Sequence, residues 1–254
     1  MNRAEFFSCP IHLMSMDETV DWIGARVDKR EFTQHVVVNV AKVVRLQRDA
    51  ALAASVRACD IVNVDGMGVV WGARLLGIPV PERVAGVDLF HRLLALADAK
   101  GLPVYLLGAT QEVVERVVAV AAARYPRLLI AGYHHGYFWD DERTVVDDIR
   151  RSGARMLFVA ITSPRKENFI NHWKAQLGVD FVMGVGGTFD VVAGKVKRAP
   201  PWMQRSGLEW AFRVIQEPGR MWKRYLSTNS RFLAMLAGAY VSRLFRRKRA
   251  VNAQ

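Results

Sequence analysis

Short runs of consecutive apolar, mostly β-branched residues alternate along this chain with longer stretches whose apolar positions recur every three or four residues. The short runs predict strands at His35–Val40, Asp60–Val64, Val104–Leu107, Leu128–Ala131, Met156–Ile161 and Phe181–Val185. The longer stretches predict helices at Ala41–Ala58, Asp88–Lys100, Gln111–Arg124, Asp141–Arg150 and Lys166–Leu177. Strand–helix alternation at this spacing reads as an α/β fold with a mainly parallel sheet flanked by helices. Ligands of such folds bind beyond the carboxyl ends of the strands, so the residues just after each strand carry the candidate chemistry.

The pattern changes after Gly187. Pro200-Pro201 interrupts the chain, a short helix is expected at Gly207–Gln216, and a long one from about Gly219 to Arg247. In the long helix Phe232, Leu233, Leu236, Tyr240, Leu244 and Phe245 form an apolar face flanked by Arg231, Arg243 and Arg246 to Arg249, with Lys248 between. Such a helix can lie in the headgroup region of a bilayer, or can pack on its own domain with a solvated basic end. The division expected is a core over residues 1–195 and a basic helical appendage over 196–254.

Charge sharpens that division. From Lys195 onward there are fourteen Lys and Arg against two acids, Glu209 and Glu217, which is the whole net charge of +12; residues 1–194 hold 22 of each sign. A neutral body with a cationic tail is expected to meet an anionic partner: an acidic membrane, a phosphorylated substrate or nucleic acid. Segregation of the charge onto the amphipathic segment favours the membrane, and the tail's aromatics lie on an apolar face rather than between exposed cations, which argues against nucleic acid. A hydrophobic content of 51% excludes wholesale disorder. The longest apolar run, Phe232 to Val241, is about half the roughly 18 residues that a membrane span needs. The N-terminus has no signal-peptide core, and Cys9 and Cys59 suit a reducing compartment. A cytoplasmic protein with surface contact to the membrane is expected.

Four groups of residues could carry chemistry. Asp65-Gly66-Met67-Gly68 follows a strand: Asp65 could act as a general base beside a glycine-lined approach, or could simply cap a helix. Arg83, just before the helix that begins near Asp88, could clamp a phosphate or pair with Asp88 on the surface. Gly184, Gly186 and Gly187 end the last strand and could cradle a phosphate, although Phe189 stands where a dinucleotide fingerprint has its third glycine. Arg213, Arg220, Lys223 and Arg224 could neutralise a pyrophosphate without a metal, or form a solvated face. No Asp-x-Asp and no zinc spacing of histidines occurs, so no metal or other cofactor is expected.

In order, Asn39, Asp65-Gly66-x-Gly68, Glu82-Arg83-Val84-x-Gly86-x-Asp88-Leu89, Gly136-Tyr137-Phe138 and Gly184-x-Gly186-Gly187-x-Phe189-Asp190 lead to Ala193-Gly194, Arg198-Ala199-Pro200, Gly207-Leu208-Glu209-Trp210, Arg213, Glu217-Pro218 and Arg220. This series, from about residue 10 to residue 225, resembles the WecG/TagA/CpsF family of bacterial glycosyltransferases. The resemblance implies a Rossmann-like, GT-E-type core with a membrane-directed helical appendage. It implies inverting, metal-independent transfer from a UDP-sugar to a polyprenyl-pyrophosphate-linked sugar at the inner face of the cell membrane, in building exopolysaccharide, capsule or cell-wall polymer. Members can pair through the core, so a homo-oligomer is also an expectation. By position Asp65 matches the catalytic base and Arg83 a pocket residue. The substrate-binding set implied is Asn39, Gly66, Gly68, Lys166, Glu167, Gly184, Gly186, Gly187 and Asp190, with Arg213, Arg220, Lys223 and Arg224 of the appendage at the pyrophosphates.

Two positions depart from the family's pattern. Val37 stands where a Thr is common, and Lys166 replaces a Gln expected near the sugar. A cation there would favour an acidic donor or another acceptor, or rewire the pocket. These departures are the support for an alternative, a catalytically inactive homologue serving a polysaccharide assembly complex.

Overall fold

The computed structural model describes residues 2–251, the side chains of Arg220, Arg224 and residues 246–251 excepted. A hairpin of β1 (Arg3–Phe6) and β2 (Cys9–His12) precedes α1 (Met16–Asp28). Ser15 and Glu18 close a reciprocal capping box at the start of α1. The main sheet follows, from β3 (Thr33–Val38), β4 (Ile61–Val64), β5 (Val104–Gly108), β6 (Ile130–His134), β7 (Met156–Ala160) and β8 (Phe181–Gly184). Its order is β4-β3-β8-β7-β5-β6 and every pairing is parallel. All six predicted strands are present, with ends displaced by one to three residues.

Alternation along the buried strands sorts their side chains between two helical layers. Leu106, Phe158 and Met183 face α1, α5 (Gly86–Lys100), α6 (Gln111–Arg124) and α9 (Thr188–Val192). Their neighbours Leu107, Val159 and Val182 face α7 (Glu142–Arg151) and α8 (Arg165–Trp173). At the other end of the sheet Val36, Val38, Val62 and Val64 pack under α2 (Val40–Leu46), α3 (Ala50–Arg57), α4 (Met67–Leu75) and the hairpin. The single helix expected over Ala41–Ala58 is thus two helices. Asp49 accepts a hydrogen bond from the Leu52 amide at 3.0 Å and restarts the chain as α3.

Beyond the core lie α10 (Pro201–Arg205), α11 (Glu209–Gln216) and α12 (Pro218–Val251). Of the two readings of the long helix, the structure shows α12 packed on its own domain along one face. Phe232 is buried against Phe6, Phe7 and Gly72, and Met235 and Leu236 pack beside it. Arg243 donates to the Leu75 carbonyl at 3.1 Å. Leu226, Leu233, Tyr240, Val241 and Leu244 lie on another face and remain exposed, as does Phe245. Among the described residues no helix is long and apolar enough to cross a membrane. Because Phe232 fills a core position, Phe232→Ala should cost about 3 kcal/mol of stability, read as a lower urea midpoint at unchanged slope. A midpoint equal to that of the unsubstituted protein would show that α12 does not dock through this ring.

Candidate active site

Asp65 directly follows β4. Its backbone N–H donates to the Val38 carbonyl at 2.8 Å, which extends the β3–β4 pairing and fixes the residue at the carboxyl edge of the sheet. Its carboxylate does not cap α4, whose N-cap is Gly66 with no side-chain hydrogen bond. It lies instead near the Gly86 amide at the start of α5, which favours its ionised form. A Cβ at position 86 would sit in ordinary contact with this carboxylate, 3.5 Å from one of its oxygens, and with the side chain of Val37. Gly66 and Gly68 serve a packing role: a Cβ at 68 would lie 2.8 Å from Val40 Cγ2, so the starts of α4 and α2 can approach only without one.

Desolvation pushes the Asp65 carboxyl up to about 6; Arg83 pulls against this, Glu209 adds to it, and Gly86 and Arg213 pull against it more weakly. Asp65 therefore feels residues of both the core and the appendage. The partner of Arg83 is Glu209 of α11, at 2.8 Å, not the Asp88 expected as a surface pair. Asp88 is held by both terminal nitrogens of Arg198, each at 2.6 Å. Two ion pairs thus join the core to the appendage across the site. Beside them an open cleft of about 570 Å³ is lined by Met67, Val70, Arg74, Pro81, Glu82, Arg83, Asp88, Arg198, Pro201, Gln204 and Arg205, an apolar floor with a mainly cationic rim.

At the ends of β3 and β8 the other expected residues come together. Asn39 is exposed and its Oδ1 caps α2 by accepting from the Lys42 amide at 3.0 Å. Lys166 and Glu167 open α8 and are buried, with Lys166 Nζ 3.3 Å from Glu167 Oε1. The stem of Lys166 lies across Gly184, where a Cβ would sit 2.7 Å from its Cε. Gly186 has φ of +53° and Gly187 lies beside the Asp190 carboxylate. Gly184 and Gly186 therefore make room for the Lys166 side chain. Arg213 is half-buried and within electrostatic reach of Asp65, whereas Lys223 is exposed, its ammonium 5.7 Å from the centre of the Trp222 ring. The side chains of Arg220 and Arg224 lie outside the described residues.

Lys42 belongs to this constellation but was not singled out from the sequence, and Glu209 and Arg198 entered only within the series of motifs, with no role assigned. Lys42 carried one signal, a lysine on the apolar side of a helix between Val40, Val43 and Val44, where a charge persists only when paired. It donates to Glu167 Oε1 and to the Val37 carbonyl, both at 2.8 Å. Glu209 and Arg198 had no local signal, because their partners lie more than a hundred residues away. Among the described residues no group of three His, Cys, Asp or Glu side chains is placed to hold a metal.

A parallel α/β sheet whose carboxyl edge presents a carboxylate of raised pKa among several cations has the layout of a group-transfer enzyme for an anionic substrate. The chain belongs to the glycosyl transferase WecG/TagA/CpsF family, whose model matches residues 4–249. It is 41% identical over 177 residues to the N-acetylglucosaminyldiphosphoundecaprenol N-acetyl-beta-D-mannosaminyltransferase of Bacillus subtilis (strain 168), covering 70% of this chain and 68% of that one. It is 39% identical over 183 residues to the enzyme of the same name from Bacillus spizizenii (strain ATCC 23059 / NRRL B-14472 / W23), covering 72% and 70%. As in its relatives, the chemistry to be explained is glycosyl transfer.

Proposed function

We propose that this chain is an inverting, metal-independent glycosyltransferase that moves a sugar from a UDP-sugar to a sugar linked through diphosphate to a polyprenyl lipid. The acceptor class follows the names of the relatives, which act on a diphosphoundecaprenol-linked N-acetylglucosamine. The observation that carries the mechanism is Asp65, with a pKa of about 6, flanked by Arg83 and Arg213.

At neutral pH Asp65 is ionised and takes the proton of the acceptor hydroxyl. The freed oxygen forms a bond to the anomeric carbon as the bond from that carbon to the UDP oxygen breaks. A single displacement of this kind inverts the centre. UDP departs with the bonding pair, and fixed cations spare the need for a metal at the leaving group. Arg83 and Arg213 stand on opposite sides of the core–appendage junction, so the docked appendage completes the site.

The lipid acceptor places the reaction at a membrane surface, on the cytoplasmic face where UDP-sugars are made. The exposed stripe of Leu226, Leu233, Tyr240, Val241 and Leu244 on the basic α12 suits an anionic bilayer. Leu233→Glu combined with Leu244→Glu should lower partition onto anionic vesicles by more than about tenfold, since each leucine loses a burial of about 1.5–3 kcal/mol. Unchanged co-sedimentation would assign the stripe to another role.

The test of the reaction is UDP release from a panel of UDP-sugars with polyprenyl-diphosphate-linked GlcNAc or Glc in detergent and EDTA. Release that requires both substrates and yields the inverted linkage is expected. Release only after a divalent cation is restored would remove the metal-independent part, and a retained anomeric configuration would remove the single displacement.

A further inference from the structure

The carboxyl edge of the sheet holds a buried charge cluster that this scheme does not use. Lys42 of α2 and Lys166 and Glu167 of α8 are all buried. Lys42 is well satisfied, with 2.8 Å contacts to Glu167 Oε1 and the Val37 carbonyl. Lys166 reaches only that same Oε1, at 3.3 Å, while Glu167 Oε2 is buried with no hydrogen-bond partner. Two ammonium groups therefore share one carboxylate oxygen. Asp65 is the other acid within electrostatic reach of Lys166, and Arg83 and Arg213 already act on it. Lys42, Lys166, Glu167 and Asp65 balance in charge and Arg83 is paired with Glu209, but Lys166 is the least satisfied member, and a buried cation so weakly held is costly unless something brings it a further negative charge.

The geometry indicates where that charge would arrive. The Lys166 stem crosses Gly184, and its Nζ lies 3.4 Å from where a Cβ on Gly186 would be. Gly186 has φ of +53°, so a larger residue there would be strained as well as crowded. The ammonium thus ends against the glycine loop at residues 184–187, and an ammonium offers three donors where this one makes a single long contact.

We propose that Lys166 is the receptor for an anionic oxygen of the donor, supplied by the diphosphate or by a carboxylate on the donor sugar. This rests on the nucleotide-sugar reading above and gives the departing group a cation from the core in addition to those of the appendage. Burial and the neighbouring Lys42 pull the Lys166 ammonium down to about 8, against the smaller opposing effect of Glu167. At neutral pH the group stays mostly protonated, and a bound anion would hold that proton more firmly.

Lys166→Met separates this role from that of a structural brace, because the two predict opposite outcomes. Methionine keeps the apolar stem in its buried space and leaves Lys42 and Glu167 paired, so thermal stability should hold or rise. Calorimetric titration of UDP, UDP-glucose and UDP-glucuronic acid into the full-length protein should show weakening by about tenfold or more where the ammonium is needed. Equal loss for all three ligands identifies the diphosphate as the source. Loss confined to UDP-glucuronic acid identifies a sugar carboxylate. A lower melting temperature with all three affinities intact would overturn the proposal and make Lys166 a brace; Lys166→Gln is carried in parallel should the Met variant fold poorly. Absence of binding of any of the three to the unsubstituted protein would instead defeat the uridine-nucleotide reading, and this inference with it.

Discussion

Asp65→Asn should abolish sugar transfer, lowering kcat by about 10²–10⁴, while making the protein more stable. The two effects share one cause. Desolvation raises the carboxyl from an ordinary 3.8 to about 6, so at neutral pH the fold holds an ionised group that it disfavours. A carboxyl whose folded pKa is raised destabilises the native state once it ionises: the cost is absent below about 3.8 and complete above about 6. Asparagine keeps the size and removes the charge, and should recover roughly 2–3 kcal/mol at pH 7. Urea unfolding at pH 5 and pH 7.5 reads this directly, because the gain should be larger at the higher pH. Activity of the unsubstituted enzyme should fall as pH drops through about 6, as the base is protonated. A variant that is inactive and also less stable would mean that Asp65 braces the fold. Activity close to that of the unsubstituted enzyme would transfer the base role elsewhere.

Arg83→Ala should lower kcat by about 10²–10³ and move the acid limb of the pH–rate profile upward. Arg83 is the strongest opponent of the desolvation that raises Asp65, so without it the carboxyl ionises at higher pH. Glu209→Gln should move the same limb downward, because Glu209 reinforces the rise. Opposite displacements from the two members of one 2.8 Å ion pair would be hard to produce by unfolding or loosening. Displacement in the same direction would show that the pair acts by holding the appendage in place. Acceptor dependence supplies the second readout, since Glu209 belongs to the appendage: Glu209→Gln should raise the acceptor KM more than the donor KM if the junction also positions the lipid-linked sugar.

The dual character of α12 bears on how such a site is assembled. One face buries Phe232 in the core and another exposes leucines, so docking leaves free the residues to which we assign the proposed membrane contact. An appendage fixed by Phe232, the Arg83–Glu209 pair and the Arg198–Asp88 pair can hold Arg213 near Asp65 while its outer stripe meets a bilayer.

Much of this was legible in one dimension because the relevant signals are local. Short apolar runs located all six strands of the sheet, since a strand buried on both faces, as most of these are, is close to continuously apolar. Asp65 and the glycines at 184, 186 and 187 stand at strand ends, and Arg83 just before a helix, where position makes them candidates. Charge segregation marked the appendage. The hairpin was not legible: its turn is made by Phe7 and Ser8 at φ of 49° and 57°, residues that carry no turn signal and hold that conformation only because the surrounding core imposes it. Nor was the break between α2 and α3, where Asp49 restarts a helix whose apolar period continues past it.

The sequence by itself determined the class of fold, a candidate acid at a strand end and the separation of a neutral stretch from a cationic tail, because periodicity, strand ends and charge are properties of neighbouring residues. Only the tertiary structure decided which charges meet. Arg83 turned from Asp88 to Glu209, Arg198 took Asp88, and Lys42 joined Lys166 on Glu167. An ion pair forms wherever folding brings opposite charges within a few ångströms and removes the water between them, and partners more than a hundred residues apart leave no trace of that choice in the order of the chain.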